Sequence, residues 1–425
     1  MASVWAGGDG LGVEKIFRDN IMDMTDFSIV RQYNFPTTIR FGAGVIRELP
    51  DHLASVGLSR PLLVTDPMVA QLEFFLAIRR QLEARGFSVE VFSDMHKNPV
   101  KSDVLKGGDA FAATDRDSII GIGGGAAMDV ARAIVLRVHH RRDLFDYDDL
   151  IGGDIFVTGD VPYFVTVPTT SGTGSEVGRS AIISEDDTHR KRILFSPKLL
   201  AKLVYADPLL TMELPAFVTA ATGMDALTHN LEAFLAKMYH PMCDGIALEG
   251  VELINGSITQ AVLQPDLESR SRMMIASLMG AVAFQKGLGV VHSLAHPMSS
   301  LLDTHHGLAN AVNLPYGMRW NISGCEDKFR KIARVMGLTG EPSGAKVPNK
   351  GGQGTTPDRS SGEAVVERLF ALNRELGLPV RLRDVGVKKE HIDTLADLAI
   401  ADFAHPNNPK PVSREDFHFL YTEAL

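Results

Sequence analysis

Two pairs of side chains spaced four residues apart could do chemistry in this chain. Asp225 and His229 lie in Thr222-Gly-Met-Asp-Ala-Leu-Thr-His-Asn-Leu-Glu-Ala-Phe234, and His292 and His296 lie in Gly289-Val-Val-His-Ser-Leu-Ala-His-Pro297. On a helix this spacing puts both members of a pair on one side. His305 and His306 follow soon after, so four histidines fall within 15 residues. One carboxylate and several imidazoles carried on two helices are ligands for a divalent first-row metal such as Fe²⁺ or Zn²⁺. Asp225, His229, His292 and His306 form a set of four with room for a substrate oxygen. His296 shares the His292 face and titrates near neutral pH, which makes it the candidate proton carrier. His305 faces elsewhere, in a structural or supporting role. A lone buried histidine is more often a satisfied core residue; the full set is what points to a metal.

A second group of residues suits a dinucleotide. Gly121-Ile-Gly123-Gly-Gly125-Ala-Ala-Met-Asp129 follows an apolar run and opens a helical pattern. Glycines there let a diphosphate approach the backbone, and the helix N-terminus supplies N–H donors. The spacing is not G-x-G-x-x-G and lacks the Lys-Ser/Thr of a Walker loop, so a plain strand-to-helix turn is the alternative. Asp66 ends another apolar run. It can accept from ribose hydroxyls, and it would then repel a 2′-phosphate and favour NAD over NADP. Equally, Asp66-Pro67 is a good helix start. Pro168-Thr-Thr-Ser-Gly-Thr-Gly-Ser-Glu-Val177 offers five hydroxyls and can bond phosphate, ribose or carboxamide; the alternative is an ordinary polar loop. A metal beside a dinucleotide points to metal-assisted hydride transfer.

These residues need elements to position them. Pro61–Thr65, Ser118–Ile122, Tyr163–Val167 and Leu203–Tyr205 are short apolar or β-branched runs with helix-like segments such as Phe74–Arg85 between them. Strands this apolar are buried on both faces, as in a parallel sheet. Ligands of such sheets sit beyond the carboxyl ends of the strands. From Thr211 to about Met336 the pattern is helical, and it resumes with Val365, Val366, Leu369, Phe370 and Leu372. The expected organisation is an extension over 1–28, an α/β dinucleotide-binding domain over 29–207, and an all-α metal-binding domain over 208–425. Residues 340–362, rich in Gly, Pro, Ser and Lys, read as a surface loop.

Composition removes several classes. The 425 residues carry a net charge of −9, with 45% hydrophobic and 22% charged residues, ordinary for a soluble globular protein. An acidic chain with both signs dispersed lacks the basic face of a nucleic-acid binder. Two distant cysteines, Cys243 and Cys325, make neither a disulfide framework nor a Cys-type zinc site, which fits a reducing cytoplasm. No 18-residue apolar run suggests a membrane span. The first 24 residues match neither a secretory signal nor an Arg-rich transit peptide.

The motifs together resemble the iron-containing (group III) alcohol dehydrogenase family. The likeness runs from Tyr33-Asn-Phe-Pro and Ile39-Arg-Phe-Gly-Ala-Gly44 to Asn407-Asn-Pro409 and Tyr421. It is carried by Gly123-Gly-Gly125 with Asp129, Pro168-Thr-Thr170 with Gly172-Thr173, Gly223-Met-Asp-Ala-Leu-Thr-His229 and Gly287-Leu-Gly-Val-Val-His-Ser-Leu-Ala-His-Pro297. The resemblance implies a dehydroquinate synthase-like two-domain fold with metal and nicotinamide in the cleft. It implies metal ligands at Asp225, His229, His292 and His306. It implies NAD contacts at Asp66, Asn98, Gly124, Gly125, Thr169, Thr170, Ser171, Gly172, Thr173, Ile182 and Lys191, with Ala126 and Asp129 in the glycine turn. The family's usual serine after the three glycines is Ala126 here, which removes one hydroxyl contact. Its usual lysine three residues after Asp129 is Arg132. The implied reaction is hydride transfer between a small primary alcohol or diol and NAD, with the metal as Lewis acid, in a homodimer or larger assembly.

Three other readings compete. A lyase of the dehydroquinate synthase type uses NAD⁺ transiently and yields no net NADH. A hydroxyacid-oxoacid-type transhydrogenase passes hydride between two substrates. A structural or sensory protein would bind both groups without turnover, against the completeness of the ligand set.

Overall fold

The computed structural model describes residues 33–188, 190–338 and 359–425. The expected extension over 1–28 and residues 340–358 of the expected loop lie outside them. Residues 359–362, expected in that loop, instead open a helix.

Six parallel strands form the sheet, in the spatial order β1-β8-β5-β4-β2-β3. They are β1 Thr38–Phe41, β2 Pro61–Val64, β3 Glu90–Phe92, β4 Ser118–Gly123, β5 Tyr163–Pro168 and β8 Leu203–Ala206. β6 (Ser180–Ser184) and β7 (Lys191–Phe195) form a separate antiparallel hairpin. The four apolar runs expected as strands are β2, β4, β5 and β8. Residues of β2, β4 and β8 are all buried, as expected of strands covered on both faces. Helices α1 (Leu49–Ser55), α2 (Glu73–Ala84), α3 (Lys101–Ala113) and α4 (Gly125–His139) complete this part. Leu63, Ile120, Ile122 and Val165 pack into one core, and Leu62, Val64, Ile119 and Phe164 into another on the opposite side. Full burial of each such side chain is worth about 1.5–3 kcal/mol.

The connection from β2 runs outward to β3, and that from β4 runs the other way to β5. The strand order therefore reverses between β2 and β4, where a crevice opens at the carboxyl ends. Asp66 and Gly123 stand on its two sides.

Beyond β8 the chain is helical: α5 (Ala216–Leu235), α6 (Pro241–Leu263), α7 (Leu267–Ala283), α8 (Val290–Leu302), α9 (His306–Asn321), α10 (Glu326–Val335), α11 (Arg359–Glu375), α12 (Ile392–Ile400) and α13 (Arg414–Ala424). α5 is the central helix, buried on every side from Thr219 to Leu235. A helix apolar all round belongs in a core, and Met224, Leu227, Leu231 and Phe234 are buried there. Only residues 303–305 join α8 to α9, so the two must lie side by side. Among the described residues no single helix is long and apolar enough to cross a membrane.

Candidate metal and dinucleotide site

α5 supplies Asp225 and His229, α8 supplies His292, and α9 begins at His306. One ligand atom from each of the four lies within 4.8 Å of the others. The His229 and His292 rings stack with centroids 4.7 Å apart, and His292 and His306 are 5.6 Å apart. Their protonation suits donation. Burial acts to raise the Asp225 carboxyl, but His229, His306 and His292 outweigh it and leave it at about 2. Burial holds His292 well below the ordinary imidazole value, with His229 and His296 adding to the effect. Burial likewise lowers His306, against the pull of Asp225.

The far sides of the rings are held as well. The Gly172 carbonyl lies 3.3 Å from His229 Nδ1, and Glu232 Oε2 lies 2.6 Å from His292 Nδ1. The carbonyl can only accept, so Nδ1 of His229 donates to it and its Nε2 keeps a lone pair for the centre. On the inner side, the Asn310 amide reaches three acceptors: Asp225 Oδ1 at 2.7 Å, His306 Nε2 at 3.2 Å and His292 Nε2 at 3.3 Å. Three lone pairs aimed at one point are what a divalent cation requires, and the residues present fit such an ion.

His296 stands beside this cluster, its ring parallel to that of His306 at 5.4 Å. Its Nδ1 is bonded to Asp402 Oδ2 at 2.8 Å. Asp402 also accepts from Ser293 Oγ at 2.7 Å and from the Ala404 N–H at 2.9 Å. Burial acts to raise the Asp402 carboxyl, but His296 and these donors bring it to about 2. His296 Nε2 is thereby left free. Phe403 stacks on His296 and Phe284 leans on His229, giving the polar cluster apolar flanks. His305 turns away and packs edge-on to Phe217.

The dinucleotide residues collect at the crevice. Gly124 caps α4 with no side-chain bond, so the N–H groups of the first turn are open to a ligand. A β-carbon on Gly125 would come 2.9 Å from Thr173, and one on Gly124 would come 3.4 Å from Thr170. The glycine turn and the hydroxyl-rich loop thus face each other closely enough that side chains there would fill the gap. Thr169 N–H donates to the Gly123 carbonyl at 3.0 Å. Thr65 Oγ1 is buried without a partner next to Gly123, an unmet hydroxyl inside the cradle. These features fit a dinucleotide.

Asp66 closes the turn that follows β2. Its Oδ1 accepts from the Met68 and Val69 N–H groups at 2.9 Å, as a helix cap does, while Oδ2 points toward Gly123. Asp129 is committed to protein partners: Ser175 Oγ at 2.8 Å and the Ile182 N–H at 3.2 Å. Arg132, fully buried, bonds Ser175 Oγ and the Ser180 carbonyl, so it too ties α4 to the hairpin. Lys191 is half-buried, and desolvation lowers its amine, with Asp402 and Asp129 opposing the shift. Asn98 reaches across the cleft to bond Asp303 at the end of α8. Ser171 is buried, and Ala126 sits in the first turn of α4 without a polar group.

Several of these residues are absent from the sequence reading. Glu232 follows His229 by three positions and Asn310 follows His306 by four, so helical spacing could have flagged both. Asp402 is 106 residues from His296, and nothing local announces it.

Comparison with known proteins agrees with this architecture. Residues 36–208 match the model for iron-containing alcohol dehydrogenase, and 219–425 match the C-terminal model of the Fe-containing alcohol dehydrogenase family. A 4-hydroxybutyrate dehydrogenase of Cupriavidus necator is 36% identical over 400 residues, 92% of this chain and 98% of that one. A crystal structure of 1,3-propanediol oxidoreductase superposes with a TM-score of 0.85 at 32% identity, covering 93% of this chain and 100% of that one. Sulfoacetaldehyde reductase from Bifidobacterium kashiwanohense, solved with NAD⁺, gives a TM-score of 0.81 at 25% identity, covering 93% and 99%. The chain belongs to the iron-containing alcohol dehydrogenase family and is an oxidoreductase.

Proposed function

We propose that this enzyme interconverts a short primary alcohol or diol and its aldehyde, with NAD as hydride carrier and Fe²⁺ at Asp225, His229, His292 and His306. Zn²⁺ suits the same ligands. The observation that carries this reading is the convergence of the four donor atoms within 4.8 Å. The substrates in the names of the three relatives given above share a short carbon chain with polar groups at both ends, and we extend that class to this chain. Dehydrogenases and reductases among the relatives favour net redox turnover over the lyase and transhydrogenase readings.

When bound, the metal supplies Lewis acidity to the substrate oxygen and the nicotinamide supplies the hydride acceptor. The chain's own groups do the rest. Gly124, Gly125 and Ala126 offer backbone donors to the diphosphate, and Thr169, Thr170, Ser171, Gly172 and Thr173 line the nicotinamide side. Asn98, Ile182 and Lys191 complete the contacts, and Asp129 holds the loop and the hairpin in place beside them. His296, oriented by Asp402, holds or passes the hydroxyl proton at Nε2. Phe284 and Phe403 limit water around the reacting carbon. We place the enzyme in the cytoplasm as a homodimer or larger homo-oligomer.

The test is anaerobic purification, metal analysis, and absorbance at 340 nm with NAD⁺ or NADP⁺ over short alcohols, diols and ω-hydroxy acids. NADH formation lost with a chelator and restored by Fe²⁺ or Zn²⁺ is the expected result. Bound metal and nucleotide with no net NADH would return the weight to the lyase or transhydrogenase.

Two substitutions probe this assignment. Asp66→Gly removes the carboxylate that would repel a 2′-phosphate. The ratio of kcat/KM for NADP⁺ over NAD⁺ should rise by about tenfold or more, equivalent to about 1.4 kcal/mol; an unchanged ratio makes Asp66 a helix cap alone. Asp402→Asn should leave metal content intact and lower kcat by about 10- to 100-fold, a fraction of what general acid–base groups contribute. Unchanged kcat would remove His296 from the proton path.

A further inference from the structure

We infer that Glu232 is the positioning residue of the metal centre, selecting the His292 tautomer that can ligate. The inference rests on the proposed ligand set.

Three observations carry it. Glu232 sits on α5 three residues after His229 and seven after Asp225, so one face of one helix bears two ligands and the support of a third. Its side chain is 1% exposed, and Oε2 lies 2.6 Å from His292 Nδ1. The carboxylate is also saturated by backbone donors at the start of α8. Val291 N–H donates to Oε1 at 2.6 Å, and Gly289 N–H donates to Oε2 at 3.1 Å. A β-carbon on Gly289 would stand 2.9 Å from Glu232 Oε1, so glycine there permits the close approach.

The consequence is directional. The backbone N–H groups of Gly289, Val291 and His292 all point at the two oxygens, an environment made for a carboxylate; an ionised Glu232 only accepts, so Nδ1 of His292 is then the donor and Nε2 an acceptor facing Asp225 and Asn310. Glutamine is isosteric but presents one NH₂. Turned toward His292, that NH₂ makes Nδ1 the acceptor, moves the proton to Nε2 and disables the ligand atom. Turned toward the Val291 N–H, it opposes one donor with another. Glu232→Asp keeps two oxygens on a shorter stem.

The test compares wild type, Glu232→Gln and Glu232→Asp in the full chain. Zn²⁺ affinity is measured by competition with a chromophoric chelator, alongside Tm of the metal-free protein. Glu232→Gln should bind Zn²⁺ about 10- to 100-fold more weakly, and Glu232→Asp should recover part of that loss. A lowered Tm with unchanged Zn²⁺ affinity would overturn the inference and make Glu232 a cap for α8 only. Independently, ¹⁵N-histidine NMR of the metal-free wild type should give the Nδ1–H tautomer at His292. An Nε2–H signal there would overturn the inference even if the variants fail to fold. Wild type that retains no metal would overturn the ligand set itself, and the inference with it.

Discussion

His292→Ala is expected to strip the metal and reduce alcohol-dependent NADH formation by at least about 10³-fold, or about 4 kcal/mol of transition-state stabilisation. His292 is the ligand with contacts on both sides: Glu232 behind Nδ1, and Asp225 and Asn310 before Nε2. Alanine removes the donor and leaves Glu232 buried with one donor fewer. The fold should survive, because α8 keeps its N-terminal bonds from Val291 to Glu232 and from Val290 to Asn408. The check is metal content by elemental analysis together with the 340 nm assay. Full turnover in a metal-free His292→Ala protein would sink the mechanism.

Gly307→Ala should have the second-largest effect, though the side chain it adds is a single methyl. That methyl would overlap the Ala221 carbonyl oxygen and stand 2.8 Å from its carbon. Both are backbone atoms of α5, so no rotamer change relieves the clash, and α5 and α9 must separate. Overpacking of this kind costs about 1–3 kcal/mol. The separation falls next to His306 and one turn before Asp225, so Tm and metal affinity should drop together, the latter by about tenfold or more. Gly256→Ala, in α6 with no atom within 4 Å of its added methyl, is the control; it should be neutral or slightly stabilising. Thermal melts and chelator competition on both variants decide the matter. Wild-type values for Gly307→Ala would mean the two helices have slack that the packing does not show.

The site was legible where local periodicity carries information. Asp225 with His229, and His292 with His296, are related by helical spacing, and a helix converts that spacing directly into a shared face. The buried strands β2, β4, β5 and β8 could be read because strands covered on both faces are continuous apolar runs, and the residues after β2, β4 and β5 line the crevice. β3 could not be read in this way: it is three residues long and mostly half-buried at a sheet edge. The hairpin of β6 and β7 mixes polar and apolar residues, with Lys191 and Arg192 opening its second strand. Glu232 has the helical spacing, but spacing alone did not single it out. An acid in an apolar helix reads as a surface charge until the start of α8 is seen resting on it. Asp402 reaches His296 only through the tertiary fold, and no spacing along the chain encodes that.

The bond between the Gly172 carbonyl and His229 Nδ1 has a thermodynamic consequence. Gly172 belongs to the hydroxyl-rich loop proposed for the nicotinamide side, whereas His229 belongs to the metal cluster, so this hydrogen bond joins the two candidate sites. An occupant that stiffens the loop also fixes the imidazole, and an ion that fixes the imidazole returns the same free energy to the loop. Coupling of this kind is reciprocal and typically amounts to about 1–3 kcal/mol. On the proposed assignment the metal and the dinucleotide act as each other's effectors, and an enzyme that has lost its ion should also hold its nucleotide less tightly.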